Sequence, residues 1–201
     1  MYLYSAVISR MPLPSFTGNV AEWEGANVIS PRQGKWTSKH PESADDSSVT
    51  AKVAWCDDGL LLGISVADNV FFQPFTHHGD PREADAIEVG VTKDRSSRAL
   101  TMTVADFGDR AFTKSTCNIP GSEGAEPKVA VTPTGERGGR FYELLIPWSR
   151  IPGVRESGLA KIAVKVYDND GDGKGLRGVW RFHEGLDGEV SGYRFGLYTV
   201  N

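Results

Sequence analysis

Strict alternation of apolar and polar residues recurs along this chain, and it restricts the fold to one built from half-buried strands. In Val49-Thr50-Ala51-Lys52-Val53-Ala54-Trp55, the residues Val49, Ala51, Val53 and Trp55 share one face, because successive side chains of a strand point to opposite sides. Cys56-Asp57-Asp58-Gly59 supplies turn chemistry, and Leu60-Leu61-Leu62-Gly63-Ile64-Ser65-Val66 returns as the second strand of a hairpin. A loop carrying Phe71, Phe72 and Phe75 leads to a third strand, Asp85-Ala86-Ile87-Glu88-Val89-Gly90-Val91. Alternation returns in Arg98–Ala105, which Asp106-Phe107-Gly108-Asp109 turns into Arg110-Ala111-Phe112-Thr113, and again in Ala160–Val166. The 23 glycines and 11 prolines suit many short strands joined by turns better than long helices. Val53, Trp55, Leu62, Ile64, Ile87, Val89, Leu100, Val104, Ile162 and Val164 are therefore predicted to fill a core between two sheets. The fold class is all-β, an antiparallel two-sheet β-sandwich, as a single domain over residues 1–201. Trp23, between Glu22 and Glu24, reads as a core plug, and Gly34 through Asp46 as an irregular surface loop.

Charge and hydropathy exclude several functions. The formal net charge is −4, which disfavours nonspecific binding to a nucleic-acid backbone. No run reaches the roughly 18 consecutive apolar residues of a membrane-spanning helix. Met1–Arg10 lacks the basic start and full apolar core of a signal peptide. Cys56 and Cys117, the only cysteines, either pair or stand as free thiols; free thiols are the expectation, because disulfide geometry is demanding. No Ser-His-Asp or Cys-His set, phosphate-binding Gly loop or distinct carboxylate pair is legible, so catalysis has no positive support.

Several segments, in order, carry a resemblance: Gly18-Asn19-Val20-Ala21-Glu22-Trp23, the Trp55–Val66 hairpin, Asp85-Ala86-Ile87-Glu88 and Glu143-Leu144-Leu145-Ile146-Pro147-Trp148. Val164-Lys165-Val166-Tyr167-Asp168-Asn169-Asp170 and Phe195-Gly196-Leu197 continue it. Together they resemble the family 9 carbohydrate-binding modules and their DOMON-like relatives. The resemblance implies a two-sheet sandwich of jelly-roll type, sugar binding without catalysis, structural calcium, an extracellular or periplasmic setting, and a catalytic domain or enzyme as partner. It also implies a departure. Where the family clamps a sugar between two Trp side chains, this chain has Arg82 in one loop and Glu189 in the other. Glu88 matches the family's polar Glu, Thr101 falls where it has Arg, and Lys165 where it has Gln.

Strand parity reaches the same surface independently. With Ile87, Val89 and Val91 inward, Glu88 faces out, as do Thr101, Lys165 and Tyr167 on their strands, and the small Ala86, Gly90 and Ala163 would hollow that face into a groove. The candidate ligand-binding residues are Glu88, Lys165, Arg82 and Thr101, with Phe75 and Tyr193 as replacement platforms. Arg82 and Lys165 add positive charge, which points to an acidic saccharide; alternatively, Lys165 forms an exposed pair with Glu88. Asp168, Asp170 and Asp172 have the alternating spacing of a calcium loop, although Val179 at the twelfth position supplies no carboxylate. Adjacent His77 and His78 make a poor zinc pair. Phe71, Phe72 and Phe75 either replace the missing Trp or fold their loop onto the sandwich. Two alternatives stay open: a haem-binding electron-transfer domain using Met102 and His183, and a structural accessory domain with a vestigial groove.

Overall fold

Two sheets face each other across the apolar residues that the alternation selects. The computed structural model describes residues 5–29, 34–38, 48–75, 79–108, 110–135 and 138–200. Numbering strands along the chain, the large sheet holds eight: β1 (Ser5–Ile8), β3 (Gly34–Ser38), β6 (Ala86–Thr92), β7 (Leu100–Asp106), β8 (Ala111–Cys117), β11 (Leu159–Asp168), β12 (Gly178–Phe182) and β13 (Gly196–Val200). The small sheet holds five: β2 (Asn27–Ile29), β4 (Ser48–Trp55), β5 (Gly59–Ala67), β9 (Lys128–Pro133) and β10 (Arg140–Pro147).

The large sheet runs β1-β13-β11-β6-β7-β8, with β12 and β3 continuing from the second half of β11; the small sheet runs β2-β4-β5-β10-β9. Among the described residues, the strand ladders are antiparallel except that β1 lies parallel to β13, and the isolated bridge Arg10↔Trp55 is parallel too. β11 is long enough to serve two neighbours on one side: Leu159–Ile162 pair with β13 and Val164–Asp168 with β12.

Nine of the ten predicted core residues are sealed into one cluster. The tenth, Trp55, is half-buried and packs against it, because its indole N–H reaches the Ile8 carbonyl at 3.2 Å. Each buried Val, Leu or Ile contributes roughly 1.5–3 kcal/mol. A one-residue slip in any strand would turn its whole set to solvent, so the burial also fixes register.

One sequence expectation changes, and two short strands are added. Gly34–Ser38 is not loop but strand, because β12 offers it a complete ladder from Ser38↔Gly178 to Gly34↔Phe182; the rest of that stretch, 39–47, lies outside the described residues. Ser5–Ile8 and Asn27–Ile29 are short strands that alternation was too brief to reveal. Among the described residues, helix is confined to α1 (Val154–Ser157) and single 3-10 turns, one of which, Val20–Trp23, delivers the fully buried Trp23. Cys56 and Cys117 are free thiols; Cys117 Sγ approaches the Arg150 carbonyl at 3.6 Å.

Candidate functional site

Register arranges the outward residues of the large sheet in rows. Lys165, Glu88, Thr103 and Lys114 form one row across β11, β6, β7 and β8. Ala163, Gly90, Thr101 and Thr116 form the next row on one side, and Tyr167, Ala86, Ala105 and Phe112 the next on the other.

The two outer rows are largely covered. Phe195 and Leu186 pack with Ala163 and Ala99, and a Cβ at Gly90 would run into both side chains. The small residues therefore seat a loop; they do not hollow a groove. Ala86, Ala105, Tyr167 and Val179 form a second patch with Phe107 and Phe112, whose rings stack at 4.7 Å. What stays open is a cavity of about 260 Å³ walled by Arg82, Glu88, Thr101, Thr103, Lys114 and Thr116. Pro81–Glu83 form its overhang, a 3-10 turn capped by Asp80, whose side chain accepts the Arg82 N–H.

Three of the six predicted ligand-binding residues, Arg82, Glu88 and Thr101, thus meet at one cavity. Lys165 lies just beneath, with its side chain only 8% exposed. Its ammonium is 2.9 Å from Asp187 Oδ1, 3.9 Å from Glu88 Oε2 and 4.9 Å from the Tyr167 ring centre. The expected exposed Lys165–Glu88 pair is therefore a largely buried network, which Tyr167 extends by donating its hydroxyl to Glu88 at 2.7 Å. Burial, and then that hydrogen bond, push the Tyr167 hydroxyl above its usual pKa. Arg82 is held by Asp80 through three side-chain contacts of 2.6–3.1 Å. Among the described residues, Lys114 is the cavity cation with no ion pair.

Phe75 and Tyr193 do not line this cavity. The Phe75 ring packs over Gly79, and the half-exposed Tyr193 lies under the Arg95 guanidinium at 5.2 Å. Phe71 sits beneath Arg140 at 3.6 Å and Phe72 against Gly171, so the aromatic loop uses its rings to fold onto the sandwich. Parity put Thr103 on the outward face without marking it as a ligand residue, and Lys114 and Thr116 escaped the sequence reading. The second hairpin carried their signal, since pairing Ala105 with Phe112 sets Thr103 opposite Lys114 and Thr101 opposite Thr116.

An acidic cluster occupies the end of the sandwich where β5 and β11 finish. Carboxylate oxygens of Asp68, Asp168 and Asp170 lie within 4.8 Å of one another. Asp172, expected among them, turns instead to Arg177 at 3.1 Å and Lys174 at 3.4 Å. Asp68 was invisible to loop spacing because it lies about a hundred residues away. Beside the cluster, Asp85 accepts the backbone N–H groups of Phe72 at 2.6 Å and Asn169 at 2.7 Å. Burial raises its carboxyl to about 9, and the neighbouring Asp68 and Asp168 charges push the same way. Arg177 Nε pairs with Asp170 Oδ2 at 2.6 Å, while the buried Oδ1 of Asp170 accepts no hydrogen bond among the described residues. Hard oxygen donors at this density suit calcium.

The other metal and cofactor alternatives fare differently. His77 and His78 lie outside the described residues. Met102 is sealed in the core, and its row runs Met102–Val89–Val164–Phe182. His183 follows Phe182, so roughly 14 Å of sheet, three strand spacings, separates the two proposed haem ligands. His183 hydrogen-bonds the Tyr198 hydroxyl at 2.9 Å.

Comparison with known proteins accords with this architecture. A carbohydrate binding module family 9 from Caldicellulosiruptor kristjanssonii, in complex with cellotriose, superposes with a TM-score of 0.73 at 16% identity, over 98% of this chain and 94% of that one. A carbohydrate binding module family 9 from the same organism in complex with glucose gives 0.69 at 16% identity, over 96% and 94%. At such identity the likeness is one of fold. No curated protein sequence matches the chain significantly. The family model described as "Carbohydrate family 9 binding domain-like" matches residues 18–196, nearly the whole sandwich, and the chain belongs to that family.

Proposed function

We propose that the protein is a non-catalytic carbohydrate-binding module that takes a saccharide on the outer face of the large sheet. The observation that carries this reading is the polar cavity at Arg82, Glu88, Thr103 and Lys114, together with membership of a carbohydrate-binding family. Sugar hydroxyls need donors and acceptors held at fixed positions. Glu88 is pinned by Tyr167, Arg82 by Asp80, and Thr101 by Thr116, so these groups lose little freedom when a ligand arrives.

Charge adds a preference for an acidic saccharide. Asp187 and Glu88 engage Lys165, and Asp80 engages Arg82; Lys114, which acts on Asp80 only through space and is in no ion pair among the described residues, also lines the cavity. A uronate or sulfate there gains a charge-assisted hydrogen bond. Calcium would be held by Asp68, Asp168 and Asp170, tying the end of β5 to the loop after β11. The setting that fits is extracellular or periplasmic, with a catalytic domain as the natural partner of a module that only binds.

Calorimetric titration with matched neutral and uronate oligosaccharides tests the reading. Binding is expected, tighter for the acid, and lost in Thr103→Trp, which fills the cavity. Failure of every saccharide to bind, or undiminished binding by a folded Thr103→Trp protein, would remove it.

A further inference from the structure

Three depressions on this face share their walls. The cavity at Lys114 has Thr101 and Thr116 in common with a second, of about 160 Å³, that reaches Ala99 and Asn118. The second shares Ser97 and Val190 with a third, of about 400 Å³, bounded by Asp187, Glu189 and Arg194. They join into one groove: the first two depressions lie lengthwise over β7 and β8, and the third continues beside the 185–194 segment. From the Thr103–Lys114 pair to Ala99 and Asn118, just beyond the ends of β7 and β8, the floor spans four residue steps along each segment, roughly 14 Å at strand rise. That is longer than a single sugar ring.

We propose that this groove binds several linked sugar units lying along β7 and β8, and reads the interior of a saccharide chain instead of one terminal sugar; the inference rests on the saccharide reading above. The floor has chemistry suited to repetition. Thr103, Thr101 and Thr116 present hydroxyls outward, and Thr101 and Thr116 share one 2.6 Å hydrogen bond. Each hydroxyl carries one donor and two acceptor sites, so the pair keeps acceptor capacity for a ligand above it. One wall is rigid, because the loop behind Val190 is anchored by Phe195 and Leu186 against Ala163. The other side is open, because β8 is the outermost strand of its sheet. A chain can therefore settle in sideways across the β8 edge. Charge marks one end: Lys114 lines the first cavity and is in no ion pair among the described residues, so an anionic unit belongs there, while Glu189 and Arg194 offset each other's charge at the third depression.

The test is calorimetry with one oligosaccharide series of one to six units, each in its native form and with the chain end reduced to the open alditol. Affinity is expected to rise about tenfold or more between one and four units and then level, as a few added hydrogen bonds imply. Reducing the end of the hexamer is expected to change its affinity by less than about twofold, well under one hydrogen bond. Ser97→Trp and, as a second variant on a different element, Val190→Trp place an indole across the middle of the groove. Each is expected to bring the ratio of tetramer to dimer affinity close to one, with thermal melts reporting that the variant is folded. Affinity independent of length, or loss of binding on end reduction while short sugars still bind, overturns the lengthwise groove and leaves the saccharide reading standing. No binding by any member of the series removes both.

Discussion

Trp23 donates its indole N–H to Glu143 Oε1 at 3.1 Å, with both side chains sealed from solvent on the outer face of the small sheet. Lys52, Gly63 and Glu143 stand in one row across β4, β5 and β10. The Trp23 ring lies over Gly63, where a Cβ would strike it, and Lys52 Nζ reaches the Trp23 carbonyl at 3.2 Å. Glu143 also accepts the Gly18 N–H at 2.7 Å. One carboxylate thus fixes the whole entry segment. Glu143→Ala leaves both donors without their acceptor and is expected to cost about 2–5 kcal/mol, with Glu143→Gln at the low end of that range. Urea unfolding measures it, and a cost below about 0.5 kcal/mol, the level of an ordinary surface substitution, would contradict this account.

Lys165 and Lys114 are expected to separate stability from binding. Lys165→Ala strands Glu88 in a largely buried site, while the half-exposed Asp187 can rehydrate, so the cost is about 1–3 kcal/mol. Lys114→Ala, at an exposed position, shifts stability by less than about 0.5 kcal/mol. It is expected to weaken a uronate ligand about tenfold and its neutral counterpart far less. Unfolding curves and titrations on the same two variants check both halves.

Calcium at saturation near 100 times its Kd would add about 2.7 kcal/mol. At about 2–4 °C per kcal/mol for a chain of this size, the melting temperature is expected to rise by roughly 5–10 °C over that in EDTA. Asp168→Asn and Asp68→Asn are expected to abolish the difference and Asp172→Asn to keep it. Identical melting curves with and without the ion would leave the cluster as an Arg177-bridged acidic turn.

His183 gives the fold an acid limit. Burial first, and then the Lys161 charge, hold its imidazole down at about 4. The unfolded chain therefore takes up the proton near the ordinary value of about 6.5, while the folded protein resists until about 4. The stabilising contribution is complete above the higher value and is lost as pH falls across that window. His183 has φ 67°, a region that Asn also tolerates. His183→Asn is expected to flatten the stability profile between about pH 6.5 and 4, read by unfolding at fixed temperature.

The core was legible because alternation states inward and outward directly, and Ile87, Val89 and Leu100 needed no further information. The central row was half legible. Parity put Glu88, Thr101 and Lys165 on one face, but pairing across the second hairpin was needed to bring in Lys114. Parity also said nothing about what lies on top, so Gly90 and Ala163 were read as an open floor when Phe195 and Leu186 fill the space above them. The acidic cluster shows the limit most plainly. Local spacing selected Asp172, and only the meeting of β5 with β11 substitutes Asp68.

The parallel pairing of β1 with β13 has a mechanical consequence. Because the two strands run the same way, with Ser5 opposite Leu197 and Ile8 opposite Val200, a pull on the two ends of the chain drags them past each other along their length. The backbone bonds between them then bear the load together and must break together, unlike a hairpin, which opens one rung at a time. Tension applied through the termini meets its resistance at the edge of the large sheet farthest from β8, so the sandwich can be strained there while the face over β7 and β8 keeps its shape.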